Sequence, residues 1–225
     1  MKPIRRTLSF ALALSAMATA PAMAAEAALD QAILQLQHEW EHINYELPEK
    51  QRAAAFEVLE QRAEAVIKQF PGRAEPMIWD GIVYSSHAGA KGGLGALDLA
   101  KTARDRLQAA EKIDPRALQG SAYTSLGTLF HKVPGWPIGF GDDDKARSYL
   151  QKALQLNPNG IDPNYFWADF EYGQHHYKEA MQALEKAMHA PARPARPLAD
   201  KGRRQEISVL MAKIRDEAGD QLSLK

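Results

Sequence analysis

Two histidines that stand four positions apart, His38 and His42, have the clearest potential for chemistry in this sequence. On a helix this spacing places both imidazoles on one face, where they could bind one zinc ion with Glu39 as the general base of a metalloprotease. Such a site needs a third protein ligand, which Glu60 or Glu64 on a following antiparallel helix could supply. We favour the alternative of a polar helix face with two exposed imidazoles, because so short a pattern often matches by chance.

Two other segments resemble ligand-binding loops without completing the pattern. The aspartates at residues 142–144 could bind calcium, but they lack the alternating spacing and final glutamate of a calcium loop, so we expect them to cap a helix. The glycines of residues 89–95 lack the Gly-Lys-Ser/Thr order of a phosphate-binding loop. The sequence contains no cysteine, and therefore no thiol nucleophile. We predict a protein that is not an enzyme, with no catalytic residue, no resident metal and no cofactor.

Residues 1–24 have the three parts of a cleavable secretory signal peptide. A basic start at residues 2–6 is followed by a short apolar run at residues 8–18 and by a small-x-small site, Ala-Met-Ala, at residues 22–24. The apolar run is shorter than the roughly 20 residues that a membrane-spanning helix needs. We expect cleavage after Ala24 and a periplasmic mature protein.

Charge and composition exclude several classes of partner. The chain of 225 residues has 28 basic and 28 acidic side chains, and three of the basic ones lie in the predicted signal peptide. The mature chain is therefore close to neutral, with neither the basic patch of a nucleic-acid-binding protein nor a polybasic membrane anchor. No second stretch resembles a transmembrane segment. An exported chain without cysteine must fold without disulfides, which suits a stack of helices with a continuous core.

An internal repeat determines the expected fold. The pattern Ala-x3-Leu-x2-Ala occurs three times, and the last two copies are 34 residues apart. A second pattern, aromatic-x2-Leu-Gly-x2-aromatic, precedes the middle copy, and a glycine matches it in the unit before. The residues of both patterns are Ala103, Leu107, Ala110, Ala146, Leu150, Ala153, Ala180, Leu184 and Ala187, then Tyr123, Leu126, Gly127, Phe130 and Gly81. Together they resemble the signature of the tetratricopeptide repeat (TPR), in which small residues let paired helices approach closely.

The predicted architecture is all-α, a TPR-like right-handed α-solenoid of antiparallel helix pairs with a C-terminal capping helix. We divide the chain into a signal peptide at 1–24, an N-terminal helical hairpin at 25–72, TPR-like repeats at 73–190, and a Pro/Arg linker with the capping helix at 191–225. The expected helices are 26–46, 49–69, 75–87, 95–113, 117–132, 143–156, 163–173, 176–189 and 200–217.

The loop at residues 133–142 supports a closer resemblance. Its sequence, Val-Pro-Gly-Trp-Pro-Ile-Gly-Phe-Gly-Asp, resembles the loop that precedes an amphipathic helix in the T-component proteins of tripartite ATP-independent periplasmic (TRAP) transporters. The similarity extends through residues 153–156 and the aromatic run at 165–167. Those proteins are exported TPR proteins for which delivery of small apolar ligands to a solute-binding partner has been proposed. The resemblance implies a ligand-handling accessory role, although this chain lacks their lipid-anchoring cysteine.

Predicted binding residues lie on the concave face of the repeats and in that loop. The first helix of each pair lines the groove of such a stack, and residues 133–142 are expected to roof it. The predicted contact residues are Ile82, Ser86, Thr124, Thr128, His131, Tyr165, Asp169 and Tyr172 in the groove, with Trp136 and Phe140 in the loop. The basic residues Arg193, Arg196, Lys201, Arg203 and Arg204 could bind an anionic envelope polymer or an acidic patch of a partner, but we favour a solvated surface.

The sequence thus predicts a non-catalytic periplasmic TPR protein that binds another envelope protein, a peptide or a small apolar ligand. A ligand-handling component of a TRAP-type transporter is the first alternative, and a zinc metalloprotease using His38 and His42 is the second. Neither nucleic acid nor a membrane-spanning segment is expected.

Overall fold

The computed structural model describes residues 19–223, and this part of the chain is all-helical, as the composition predicted. The predicted signal peptide lies largely outside the described residues. No β-strand occurs within 19–223, where a single isolated bridge joins Gly135 and Gly141. The α-helices of this range are α1 Thr19–Tyr45, α2 Glu49–Gln69, α3 Ala74–Lys91, α4 Gly93–Ile113, α5 Ser121–Lys132, α6 Asp143–Leu156, α7 Ile161–Gly173, α8 Tyr177–Met188 and α9 Pro197–Ser223.

Local sequence accounts for the start of α6 and for the break between α3 and α4. The side chain of Asp142 accepts a hydrogen bond from the backbone N–H of Lys145 at 3.0 Å, so it caps α6. Between α3 and α4 the expected loop at 88–94 is much shorter than predicted. Helix α3 continues to Lys91, and the chain then reverses at Gly92 and Gly93, whose φ angles of 61° and 64° favour glycine.

The residues of the predicted repeat occupy the contacts between paired helices. All nine Ala and Leu residues of the Ala-x3-Leu-x2-Ala copies are fully buried. A Cβ atom on Gly81 would lie 2.6 Å from Cγ of Leu107, and one on Gly127 would lie 2.6 Å from Cγ of Leu150. Two successive helix pairs, α3 with α4 and α5 with α6, therefore meet in the same way. In the third pair, α7 with α8, the buried residue Ala168 takes the glycine's place.

Helix α9 packs on α8 with the apolar stripe expected of a terminal helix. Ile207, Leu210 and Ile214 are buried in a cluster with the apolar side chains of α7 and α8. Helix α9 also reaches α1, at the opposite end of the chain, where Gly202 lies against the ring of Tyr45. Since a Cβ at position 202 would overlap that ring, glycine permits the close approach of the two helices.

The connector between α8 and α9, residues 191–196, completes this closure. Nε of Arg196 donates to Oε1 of Glu41 at 2.5 Å, and Nε2 of His38 donates to the backbone carbonyl of Ala195 at 2.7 Å. Helix α9 and the connector therefore contact α1, and a partly open space lies between these elements and α3 and α5.

Candidate functional site: a central cavity

The space beside this contact is a partly open cavity of about 570 Å³. Its wall comes from α1, α3, α5, the first turns of α7, the connector and α9. The volume falls in the range of roughly 300–1,000 Å³ that is typical of small-molecule sites. We call it the central cavity.

One wall of the central cavity is aromatic. The rings of Trp40 on α1 and Trp79 on α3 meet edge to face, with centroids 6.2 Å apart, and Phe166 on α7 also lines the space. Nε1 of Trp40 donates to Oγ of Ser86 at 2.8 Å, and that hydroxyl donates to the carbonyl of Ile82 at 2.9 Å. These bonds hold the Trp40 ring in place, so the wall is a rigid apolar surface.

Another part of the lining carries hydroxyl groups from α3 and α5. Thr128 Oγ1 donates to the carbonyl of Thr124 at 2.9 Å, one turn earlier in the same helix. The hydroxyls of Ser85 and Ser125 also belong to the lining, and neither is hydrogen-bonded to the described residues. A bound molecule could therefore satisfy two hydroxyl groups without breaking a bond within the protein.

The chain enters this wall through an unusual backbone turn. Leu118 and Gln119 have φ angles of 47° and 56°, and both side chains line the central cavity. Such left-handed angles are costly for residues other than glycine, and they cluster at functional sites.

Three arginines from the C-terminal part of the chain form the third side of the cavity. Arg193 contacts Asp162 and Asp200, both at 2.6 Å, while Arg203 contacts Asp162 at 2.9 Å and Glu206 at 2.5 Å. Burial alone would raise the pKa of Asp162, but the arginine charges outweigh it and lower that pKa to about 2. The Asp162 carboxylate therefore stays ionised at physiological pH and holds two of the guanidinium groups in position.

These arginines were predicted to be a solvated surface, and for Arg193, Arg196 and Arg203 that prediction is wrong. The side chain of Arg196 on the connector is only 13 % exposed and that of Arg203 on α9 only 8 %, and Arg204, at 30 %, is also partly buried. Lys201, by contrast, is exposed. The prolines that flank the two arginines of the connector indicate a stiff backbone. The charge pattern does not show in which direction the arginine side chains point.

Of the eight predicted groove residues, the four on α3 and α5 line the central cavity. These are Ile82, Ser86, Thr124 and Thr128. The other four do not line it and have other contacts. His131 stacks edge-on against Phe170, Tyr165 lies under the guanidinium of Arg203, Asp169 contacts Lys132, and the hydroxyl of Tyr172 donates to Glu217.

The loop at residues 133–142 does not roof the cavity. Its Phe140 packs on Phe130, with ring centroids 5.6 Å apart, and lies under the guanidinium of Arg104 at 4.6 Å. Together with Trp136, these residues line a separate hollow of about 440 Å³ between α4 and α6. The two predicted loop residues are therefore neighbours of each other but not of the predicted groove residues.

The histidine motif near the N-terminus has structural contacts. Nε2 of His38 donates to a carbonyl of the connector, and Nδ1 of His42 lies 2.7 Å from the carboxylate of Glu46. The two candidate third ligands, Glu60 and Glu64, contact side chains of α3 instead. In residues 19–223 no group of three or more His, Asp or Glu side chains is arranged to hold a metal ion.

Comparisons with known proteins do not assign a family. No family model matches the chain, and no curated protein matches it. Among the described helices, none combines the length and apolar character that crossing a membrane requires. The geometry of the central cavity is therefore the basis for the functional proposal.

Proposed function

We propose that this protein is a non-catalytic binding protein of the cell envelope that carries a small ligand in its central cavity. The observation that supports this most directly is the closure of the connector and α9 onto α1 around a space of about 570 Å³. An α-helix with its side chains is about 10 Å across, and the connector and α9 lie along one side of this partly open space. Closure thus favours a small molecule over a peptide or a partner helix.

We further propose that the scaffold is a TPR-like right-handed α-solenoid, with α9 as its cap. The matching contacts of Gly81 with Leu107 and of Gly127 with Leu150 support a repeated structural unit. The ligand-handling role of the T-component proteins of TRAP transporters, which the loop at 133–142 resembles, is compatible with such a cavity.

Export to the periplasm through a cleaved signal peptide is part of the same proposal. Residues 22–28 are exposed, and the first buried side chain of α1 is Leu29. Among the side chains that the structure describes, cleavage after Ala24 would remove only exposed ones. The intact mass of the protein purified from the periplasm tests this, and a mass that includes residues 1–24 would contradict it.

A neutral aromatic probe, N-phenyl-1-naphthylamine, tests ligand binding because its fluorescence rises in an apolar site. We expect saturable binding to the wild type and at least about tenfold weaker binding to Ser125→Trp, whose indole would fill the cavity. The matched control is Gln61→Trp, which adds the same side chain at an exposed position of α2. Equal binding by the wild type and both variants would contradict the proposed site.

A second function, docking to another envelope protein, is favoured by the exposed tip of the loop at 133–142. Trp136 is 90 % exposed and Ile138 is 69 % exposed, an unusual position for two large apolar side chains. Crosslinking in envelope extracts should yield a defined adduct that the double variant Trp136→Ala/Ile138→Ala loses. An adduct of equal yield with that variant would place the contact elsewhere.

Metal analysis of the purified protein tests the non-catalytic assignment. Stoichiometric zinc that is lost in His42→Ala would contradict it.

A further inference from the structure

We propose that the ligand of the central cavity is an anionic amphiphile, whose single anionic oxygen group binds Arg196 while its apolar body lies against Trp79 and Trp40. This inference rests on the proposed function, since it names the chemistry that the same cavity would select. The argument compares the three arginines of the lining, which differ in the number of carboxylates that each one contacts.

Arg193 and Arg203 are both fully engaged with acidic partners. Each guanidinium contacts two carboxylates, and each shares Asp162 with the other. A guanidinium has five N–H donors in a planar fork, so it can bind two carboxylates on different edges. These two residues therefore show an arrangement of two carboxylates around one guanidinium, with which the third arginine can be compared.

Arg196 has only half of that arrangement. Its Nε contacts Glu41, and its two terminal nitrogens form no hydrogen bond within residues 19–223. Both terminal nitrogens are accessible, because neither is a fully buried atom without a hydrogen-bond partner. The side chain as a whole is 13 % exposed, and Arg196 lines the central cavity. No carboxylate within residues 19–223 therefore contacts the terminal nitrogens of Arg196, and an anion in the central cavity could take that position.

The surroundings of Arg196 define the rest of the ligand. Its Cζ lies 5.1 Å from the centroid of the Trp79 ring, which in turn meets Trp40 edge to face. An anion held by Arg196 would place the attached carbon skeleton beside this aromatic wall, where apolar surface is removed from water. The hydroxyls of Ser85 and Ser125 are available to polar atoms farther along the molecule.

The anion should be a single group rather than a polyanion. Glu41, whose side chain is 2 % exposed, stays beside Arg196 and repels additional negative charge. The carboxylate of Asp162, which itself lines the cavity, and those of Asp200 and Glu206 contact the other two arginines and add to that repulsion.

Two probes that share an apolar body test this inference. N-phenyl-1-naphthylamine is neutral, and 8-anilinonaphthalene-1-sulfonate is the same ring system with one anionic group. We expect the wild type to bind the sulfonate at least about tenfold more tightly, which is the size of one charge-assisted hydrogen bond. Displacement of the sulfonate by 1-naphthoate or by 1-naphthyl phosphate then shows whether a carboxylate or a phosphate is the better head group.

The decisive comparison is between Glu41→Gln and the double variant Glu41→Gln/Arg196→Gln, which differ only in the guanidinium. Both lack the buried Glu41 charge, so neither leaves an unpaired carboxylate. We expect Glu41→Gln to bind the sulfonate at least as tightly as the wild type, because Arg196 loses its competitor. The double variant should lose about tenfold or more for the sulfonate and nothing for the neutral probe.

The outcomes separate this inference from the proposed function. If Ser125→Trp binds both probes as tightly as the wild type does, the proposed function fails. If the neutral probe binds there, but the sulfonate shows no preference or binds the two Glu41 variants equally, only the anionic ligand is excluded.

Discussion

Gly127 on α5 lies directly against Leu150 on α6, and no side chain larger than hydrogen fits at the glycine. A Cβ atom built there would be 2.6 Å from Cγ of Leu150 and 3.1 Å from the carbonyl oxygen of Ala146. Gly81 has the same relationship to Leu107 and Ala103 in the preceding helix pair. The distance between paired helices is therefore set by glycine and alanine at these positions, and the curvature that brings α9 to α1 depends on it.

Gly127→Ala should destabilise the protein. The added methyl group overlaps a fully buried leucine, and such overpacking typically costs about 1–3 kcal/mol. The matched control is Gly89→Ala in α3, where a Cβ would meet nothing within 4 Å. That change should stabilise by roughly 0.5–1 kcal/mol, because alanine is the better helix former. Denaturant unfolding of the two variants at one pH measures whether their unfolding free energies change in opposite directions. Equal changes would contradict the close contact.

Asp80→Asn should change how stability depends on pH. Burial raises the pKa of Asp80 to about 7, only partly offset by Arg106, whose Nε lies 2.9 Å from Oδ2, and the carboxylates of Glu64 and Glu60 add to the rise. A carboxyl group whose pKa is higher in the folded than in the unfolded state contributes its full stabilisation of the fold at pH values below its unfolded-state pKa. That contribution is lost as the pH rises through the folded value. The loss should run from about pH 4 to pH 7, by roughly 4 kcal/mol at most.

The measurement is the difference in unfolding free energy between wild type and Asp80→Asn at a series of pH values. We expect the unfolding free energy of the variant to increase relative to that of the wild type as the pH rises towards 7. Above pH 7 the difference between them should stay constant. Asp98→Asn, which replaces an exposed carboxylate on α4, serves as the control and should show no such trend. A pH-independent difference for Asp80→Asn would contradict a buried, protonatable carboxyl group.

The two aromatic residues of the loop at 133–142 should contribute very unequally to stability. Phe140 packs against Phe130 and Arg104, so Phe140→Ala should cost about 1–3 kcal/mol. Trp136 is exposed, and Trp136→Ala should change stability by about 0.5 kcal/mol or less. Thermal unfolding of both variants tests this, and a large loss for Trp136→Ala would show that its ring is buried.

Removing one member of the Arg196–Glu41 pair should cost more than removing both. Arg196→Gln leaves the Glu41 carboxylate buried without a partner, which typically costs about 3–5 kcal/mol. In Glu41→Gln/Arg196→Gln no charge remains, so the loss should be smaller. Lys101→Gln breaks an exposed pair with Asp98 and should cost about 0.5 kcal/mol or less. Chemical denaturation of the three variants gives the order, and a larger loss in the double variant would contradict it.

Much of the local structure follows from the sequence alone. The Ala and Leu residues of the repeat, such as Ala146 and Leu150, face a partner helix because their spacing places them on one stripe. Asp142 caps α6 because a short acidic side chain before a helix can accept a backbone hydrogen bond. The apolar stripe of α9 follows from the same periodicity. Each of these features depends on residues within one or two helical turns, which is why a linear pattern reveals them.

The tertiary structure alone decided that α9 and the connector meet α1. Glu41 and Arg196 are 155 positions apart, and no periodic pattern predicts that α9 returns to α1. That return depends on the summed angles of all the helix pairs between them. The same closure turns the connector arginines inward, covers the later turns of α7, and leaves the loop at 133–142 on another face. The sequence by itself determined the helices and their contact stripes, whereas the cavity and its charged lining result from packing over the whole array.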